Sequence, residues 1–396
     1  MEKGNSFSGY QWSYFSSLEP GPVRSRAESF LSSVDWQALT AYAASKRQGT
    51  LCSLLPDIGL GYNHMVRILE FTDGVKWVAR LRLPALAESS TSEEVLEAKS
   101  NSEFRTMSLL QQRSDLPVPR VHAYEARSDC NVKASFMLMD CLEGNVGMDL
   151  GLEIPPKFKQ PFLDGLANIH VKLSTILLPQ IGTIVSVNTD GSCVQGPIPG
   201  LGGPYDTATE FFQAWAETAR FGMTDEKLRR TLGPYADEII PSVSAFPGKI
   251  GQLAPKISVQ DHGPFPLCHG DFGHNNIIVN DAYQILGVID WETSFAAPWE
   301  FFADFPLTLS VVPPAMDAPW NYNDDGSPKD VALAQKFADQ EAYVQAVIRE
   351  ENKNGGENHR LSETLKHTSR QHLATGMRLY QDGKAGWYGK LFDQFN

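Results

Sequence analysis

Residues 268–292 read CHGDFGHNNIIVNDAYQILGVIDWE, and the rest of the chain is best understood outward from them. Two β-rich runs, Ile277-Ile278-Val279 and Ile285 to Ile289, flank a turn at Asn280-Asp281, the pattern of a β-hairpin. Asp271 and Asn276 stand just before the first run, and Asp290 ends the second. A hairpin brings its outer ends together, so these three side chains are expected to converge on one small polar site. Carboxylate and carboxamide oxygens gathered in this way suit a hard divalent cation. The alternative is a surface hairpin with polar ends, which leaves unexplained why three metal-compatible groups occupy the convergent end.

The order His269-Gly270-Asp271, four residues, Asn276, then a strand ending in Asp290 resembles the catalytic core of the aminoglycoside phosphotransferase and choline kinase-like families, small-molecule relatives of the protein kinases. The resemblance implies that Asp271 is the catalytic base, that Asn276 and Asp290 hold Mg²⁺, and that ATP is the phosphoryl donor. It also implies a bilobal protein-kinase-like fold of the α+β (α/β) class, with a small antiparallel β-sheet lobe followed by a mainly helical one.

Upstream, Met65 to Phe71 and Val75 to Leu83 are β-rich runs joined by Thr72-Asp73-Gly74, a good hairpin signal. Before them, Gly59 and Gly61 lie between strand-like segments, where glycines let backbone amides approach phosphate oxygens. A plain turn is the alternative, but in this place the pair resembles the family's nucleotide-covering loop, with His64 where a full GxGxxG has its third glycine. In the second run Lys76, Val78, Arg80 and Arg82 share one face, and Trp77, Ala79 and Leu81 the other. The resemblance aligns Arg80 with the strand lysine that binds nucleotide phosphates, a departure that keeps the charge but changes its shape. Arginine at this position is a habit of the fungal-type relatives that the chain resembles.

Glu93 to Gln112 reads as a helix, and the resemblance makes its Glu103 the carboxylate that pairs with Arg80. The alternatives are a solvated edge charge for Arg80 and one more exposed helix acid for Glu103. Strands at Arg120 to Tyr124 and Ser135 to Met139 follow, and the stretch from Asp140 through Leu142 to Gly144 resembles the interlobe hinge whose backbone holds the adenine edge. Arg26 to Lys46 carries apolar residues at helical spacing, with Asp35 placed to cap a second segment, and residues 1–22 read as a loose lead-in.

Downstream of the hinge, helices are expected at Gln160 to Ile176, Thr207 to Gly222, Asp225 to Thr231, Val331 to Glu351 and Leu361 to Tyr380. His170 falls near a buried helix face, the place of a core histidine. Residues 179–206 are rich in glycine and proline and read as a long functional loop. Pro298 to Asp304 resembles the family's segment that supports the metal strand, and the resemblance implies that Asp304 steadies the catalytic loop. The expected division is an extension and helix over 1–47, a nucleotide-binding lobe over 48–140 and a catalytic lobe over 141–396.

A chain of 396 residues with 42% hydrophobic and 20% charged residues has the make-up of an ordinary globular protein large enough for two lobes. Five cysteines without CxxC spacing point to a reducing compartment and away from structural zinc. The polar N-terminus has no apolar signal core and no stretch approaches spanning length, so a cytoplasmic protein without a membrane partner is expected. A net charge of −13 argues against nucleic acid as a partner. The excess lies after residue 140, where 31 acidic face 19 basic residues against 16 and 15 before it, so a cationic or neutral small-molecule acceptor is favoured over a polyanion.

The reading that follows is ATP- and Mg²⁺-dependent phosphotransfer to a hydroxyl of a small molecule. Its rival is a kinase-fold protein that does not phosphorylate, either a nucleotide-binding scaffold or an enzyme that reuses the cleft for another reaction. A protein kinase is disfavoured, because no activation segment bounded by DFG and APE is present.

Overall fold

A computed structural model describes residues 7–12, 15, 18–86, 92–150, 154–354 and 359–395. Parts of the lead-in expected over residues 1–22, namely 1–6, 13–14 and 16–17, lie outside the described residues. The chain divides into two compact units, the first from residues 1–159, 185–193 and 274–293, the second from 160–184, 194–273 and 294–396.

In the first unit, helices α1 (Pro22–Ser33) and α2 (Trp36–Lys46) come before the sheet. Proline at the start of α1 occupies a position whose N–H has no helical partner. Asp35 caps α2 by accepting the Ala38 N–H at 2.9 Å, which breaks the expected 26–46 segment into two helices. Strands β1 (Cys52–Leu60), β2 (His64–Phe71), β3 (Lys76–Arg82), β4 (Val121–Glu125) and β5 (Phe136–Asp140) form an antiparallel sheet in the order β1-β2-β3-β5-β4. The β2–β3 turn needs its glycine, since Gly74 has φ +82°. Helix α3 (Glu93–Arg113) lies between β3 and β4 in the chain.

Burial along β3 alternates as its sequence predicts. Trp77, Ala79 and Leu81 face a core shared with Met65, Leu69 and Phe71 of β2 and with Phe30, Leu39 and Ala43 of α1 and α2. Each large apolar side chain so buried contributes about 1.5–3 kcal/mol. The opposite face, with Val78, Arg80 and Arg82, is left for polar business.

The hairpin Ile277–Val279/Ile285–Val288 belongs to this same unit, although the sequence assigns it to the segment 141–396. The cause is backbone pairing: the short strand Asn145–Val146 adds to its edge, Ile278 opposite Val146 and Val279 opposite Asn145. The approach is close enough to require glycine, for a β-carbon at Gly144 would come within 2.5 Å of the Val279 carbonyl oxygen.

The second unit is mainly helical, with one three-stranded antiparallel sheet in which Phe265–Cys268 lies between Leu177–Leu178 and Phe295–Ala296. Thr207 and Glu210 form a reciprocal cap at the start of the helix Ala208–Thr218. Three findings differ from the sequence reading. The 22-residue helix Ala236–Ile257 was not expected, because Pro241, Pro247 and Pro255 lie inside it. Its buried residues Ile239, Val243, Phe246, Ile250, Ala254 and Ile257 nevertheless keep helical spacing, and Phe246 packs at 5.9 Å from Trp215 and 4.7 Å from Tyr388. Residues 179–206 contain two strands, Thr183–Val187 and Cys193–Gly196, rather than an irregular loop. The last expected helix breaks at His367, whose φ −81° and ψ 75° are not helical, into Arg360–Lys366 and Thr368–Gln381. All five cysteines are free thiols. No helix of the described residues is long and apolar enough to cross a membrane.

Candidate active site

Arg80 leaves β3 on the face opposite Trp77 and is gripped from two sides. Its Nη1 donates to both Glu103 carboxylate oxygens at 2.7 Å, and its Nη2 donates to Asp290 Oδ1 at 2.5 Å. The Arg80 and Glu103 side chains are 11% and 4% exposed, which rules out the solvated edge charge and the exposed helix acid. Burial works against a charged Arg80, but Glu103, Asp290 and Glu292 together outweigh it and raise its pKa. The expected Arg80–Glu103 pair is therefore present. What differs is the second half of the guanidinium, expected to aim at phosphate and here bonded to Asp290.

Asp290 reaches Arg80 because its backbone turns through the left-handed region at φ +65°. Such a conformation costs a non-glycine residue roughly 1–3 kcal/mol, less for Asp than for most, and is held only where its surroundings demand it. Asn276 is buried beside it along the hairpin: Ile277 pairs with Val288, and the Ile289 N–H donates to the Asn276 carbonyl at 2.9 Å. The two expected metal ligands thus lie at the same end of the hairpin.

A second ion pair runs alongside the first and was missed by the sequence. Glu292 meets the Arg82 Nη2 in a close contact and accepts from Asn63 Nδ2 at 3.0 Å. Burial opposes ionisation of Glu292, yet Arg82 and Arg80 bring its pKa down on balance. His64 Nε2 is 4.0 Å from the same carboxylate, but burial and the two arginines drive its pKa well down, so it is a neutral neighbour. The face shared by Arg80 and Arg82 was legible in β3, while Arg82's acid partner Glu292, 210 residues later, was not.

Gly59 is a residue of β1, paired with Val66, rather than part of a loop. Only residues 61–63 form the β1–β2 connection, closed by the Gly61 N–H donating to the His64 carbonyl at 2.8 Å. The Asp140 side chain turns towards β4, with Oδ1 at 2.7 Å from His122 Nε2 and Oδ2 accepting the Arg120 N–H at 3.1 Å. The Leu142 side chain packs against Gly287 of the hairpin, where a β-carbon would collide with it.

Asp271 belongs to the second unit, two residues after the buried His269. Its backbone N–H donates to His269 Nδ1 at 3.3 Å, and Gly270 between them has φ +83°. The Phe272 carbonyl accepts the Leu307 N–H at 2.8 Å, which anchors the far side of the loop. His170, read as a core histidine, is one: its Nδ1 lies 2.8 Å from the Tyr343 hydroxyl and its Nε2 2.9 Å from the Phe302 carbonyl. Burial pulls its pKa down to about 4, against the opposing pull of that carbonyl and of Asp304. Asp304 accepts from Gln371 Nε2 at 3.0 Å, Thr375 Oγ1 at 2.7 Å and Arg378 Nε at 2.8 Å, so these bonds run to the helix Thr368–Gln381.

The phosphotransferase enzyme family matches residues 58–301 of the chain. A curated relative, the clavilactone A biosynthesis cluster protein Y of Ampulloclitocybe clavipes, is 26% identical over 221 residues, 54% of this chain and 54% of that protein. The chain thus spans about half the length of that relative. Two solved structures are similar in fold. A macrolide 2'-phosphotransferase from Brachybacterium faecium has a TM-score of 0.43 at 17% identity, covering 84% of this chain and 87% of that one. An ethanolamine kinase from Plasmodium vivax has a TM-score of 0.43 at 11% identity, covering 89% and 85%.

Proposed function

The chain belongs to the phosphotransferase enzyme family, and from that premise we propose that it transfers the γ-phosphoryl group of ATP to a hydroxyl of a small molecule, with Mg²⁺. The observation that carries this reading is the junction of Arg80 with Glu103 and Asp290. It fixes a cation of the sheet, a carboxylate of α3 and the last residue of the hairpin to one point. Phosphoryl transfer asks the protein mainly for positioning and charge neutralisation, and the junction supports the first of these by fixing where Arg80 stands.

Asp271 takes the proton of the acceptor hydroxyl as its oxygen bonds to phosphorus and the bond to the ADP oxygen breaks. Arg80 offsets the charge of the phosphates. Asn276 and Asp290 fit a hard cation, being one neutral and one anionic oxygen donor at the same end of a hairpin, the short protein ligand set that Mg²⁺ takes alongside phosphates and water. Bound there, Mg²⁺ would neutralise charge across the β and γ phosphates. Among the described residues no group of three or more His, Cys, Asp or Glu is placed to hold a metal ion. The acidic excess after residue 140 supports a cationic or neutral acceptor.

The bond from Arg80 to Asp290 favours a second reading, a nucleotide-binding protein, or an enzyme of another reaction, in which Asp290 is retained by arginine. The discriminating experiment incubates the protein with ATP and Mg²⁺ over a panel of hydroxyl-bearing small molecules and detects ADP and phosphorylated product by mass spectrometry. Asp271→Asn keeps the side-chain shape but removes the proton acceptor. It is expected to lower turnover roughly a hundredfold or more while ATP affinity stays near wild type. Turnover unchanged by that substitution would remove Asp271 from the mechanism, and ATP binding indifferent to Mg²⁺ would give the second reading precedence.

A further inference from the structure

Residues 7–12 are not a loose lead-in. Side chains of the first unit tie them down at several points. The buried Asn145 holds them twice: its Oδ1 accepts the Gln11 N–H at 2.7 Å, and its Nδ2 donates to the Gly9 carbonyl at 3.0 Å. The Tyr10 hydroxyl lies 3.0 Å from Cys141 Sγ, and the Ser8 hydroxyl donates to Asp281 at 3.1 Å. Trp12 covers Gly59 so closely that a β-carbon there would be 3.2 Å from its ring. The Tyr10 and Trp12 rings are 4.9 Å apart, and Phe7 meets Tyr10 edge-on at 4.9 Å.

Strand register shows which face this segment covers. Gly59 is paired with Val66, Val66 with Arg80, and Arg80 with Met137, one row across β1, β2, β3 and β5. Residues paired directly share a face, so the side of Gly59 that Trp12 fills is the side from which Arg80 projects. β1 and β5 are three inter-strand spacings apart, about 14 Å. Trp12 meets the first of them, and Tyr10 meets Cys141, which follows the second four residues beyond Met137. On the phosphotransferase reading, Gly59 belongs to the stretch that covers the nucleotide, and the backbone of residues 140–144 holds the adenine edge.

We propose that residues 7–12 form an autoinhibitory strap over the Arg80 face of the sheet, held by Asn145, Cys141 and Gly59, which must be released before a nucleotide can bind. The proposal rests on the phosphotransferase reading of the same site. Its attachments suit a reversible device. The strap adds no strand to the sheet, its contacts are a few hydrogen bonds and ring faces, and Trp12 is not part of the buried core.

The test uses the full chain in three forms: wild type, Trp12→Ala, and the double variant Tyr10→Ala/Trp12→Ala, with folding checked by thermal melting. Calorimetry reads ATP affinity, and hydrogen exchange in the wild type reads the Gln11 amide. That amide is expected to be protected without nucleotide and to lose protection when ATP is added. A strap closed ten times more often than open raises the apparent Kd by that factor, so the double variant should bind ATP about tenfold tighter. Equal affinity in all three forms, with Gln11 protection indifferent to ATP, would overturn the strap and leave the phosphotransferase reading standing. Weaker binding in the variants would overturn it too, since the aromatic pair would then be part of the nucleotide site. Failure of every form to bind ATP would sink the phosphotransferase reading and the strap with it, while the Gln11 protection persisted.

Discussion

Glu103, Asp290 and Glu292 in the first unit all lie against arginine, whereas the hydrogen bonds of Glu300 and His170 in the second run to neutral groups. Glu300 accepts the Val259 N–H at 2.6 Å and the Ser258 hydroxyl at 3.0 Å, and burial raises its pKa. His170 is held between a tyrosine hydroxyl and a backbone carbonyl. The first arrangement sets three acids against Arg80 and Arg82, with His64 neutral. Charges held by charges are rearranged by a charged ligand. Neutral bonds are indifferent to one and serve to keep a loop in place. On the proposed function, the first unit is therefore the one expected to respond to nucleotide and metal.

The strongest way to break the comparison is Arg80→Ala. It strands Glu103 in a buried position, and removing one partner of a buried pair costs about 3–5 kcal/mol. Burial already pushes the Glu103 pKa up and Arg80 is the charge that opposes it, so the acid will meet part of this loss by taking a proton. Urea unfolding at pH 7 measures the effect. Arg80→Lys should cost less than half as much, because one ammonium replaces a fork whose two nitrogens serve two different acids. Equal losses in the two variants would show that charge, and not the fork, holds the junction.

The second unit is tested through pH. His170 is neutral when folded, with a pKa near 4, and takes its ordinary value of about 6.5 when unfolded. The unfolded chain therefore binds more protons between these values, and the stability contributed by the neutral ring, complete above pH 6.5, is lost as pH falls towards 4. The full loss is about 3 kcal/mol. Glu300, with its pKa raised, has the opposite dependence, so the informative quantity is wild type minus His170→Gln across the range. A difference that stays flat between pH 7 and pH 4.5 would mean that His170 is not held neutral.

The sequence made the hairpin, the alternation along β3 and the Asp35 cap legible, because each is written in neighbours two to four residues apart. The apolar runs on either side of Asn280-Asp281 place Asn276 and Asp290 together whatever else the chain does. Partners separated by 131 to 210 residues leave no such trace. Tyr10 gives no sign of Cys141, and Arg82 none of Glu292, since both contacts come from packing. In the sequence Gly59 reads as opening backbone to phosphate oxygens, but it lies in a strand and leaves space for Trp12. In the helix Ala236–Ile257 three prolines obscured an apolar repeat that was there to be counted, and burial of that repeat outweighs the hydrogen bonds the prolines remove.

The smallest effect concerns an ion pair of the second unit that looks, by distance, like those of the first. Arg378 donates from Nε to Asp304 at 2.8 Å and from Nη2 to the Ser310 hydroxyl at 2.6 Å. Burial alone would lower the Arg378 pKa, but Asp304, aided by Asp382 and Asp271, raises it. Asp304 nevertheless keeps Gln371, Thr375 and the Phe305 N–H when arginine is removed, so its carboxylate is not stranded as Glu103 would be. Arg378→Ala should therefore cost about 2 kcal/mol, in the range of the two net hydrogen bonds it removes and below the loss for Arg80→Ala. Urea midpoints of the two variants, measured side by side at one pH, decide the matter. Equal losses would mean that Asp304 depends on its arginine as Glu103 does, and the contrast between charge-held and neutrally held acids would have to be given up.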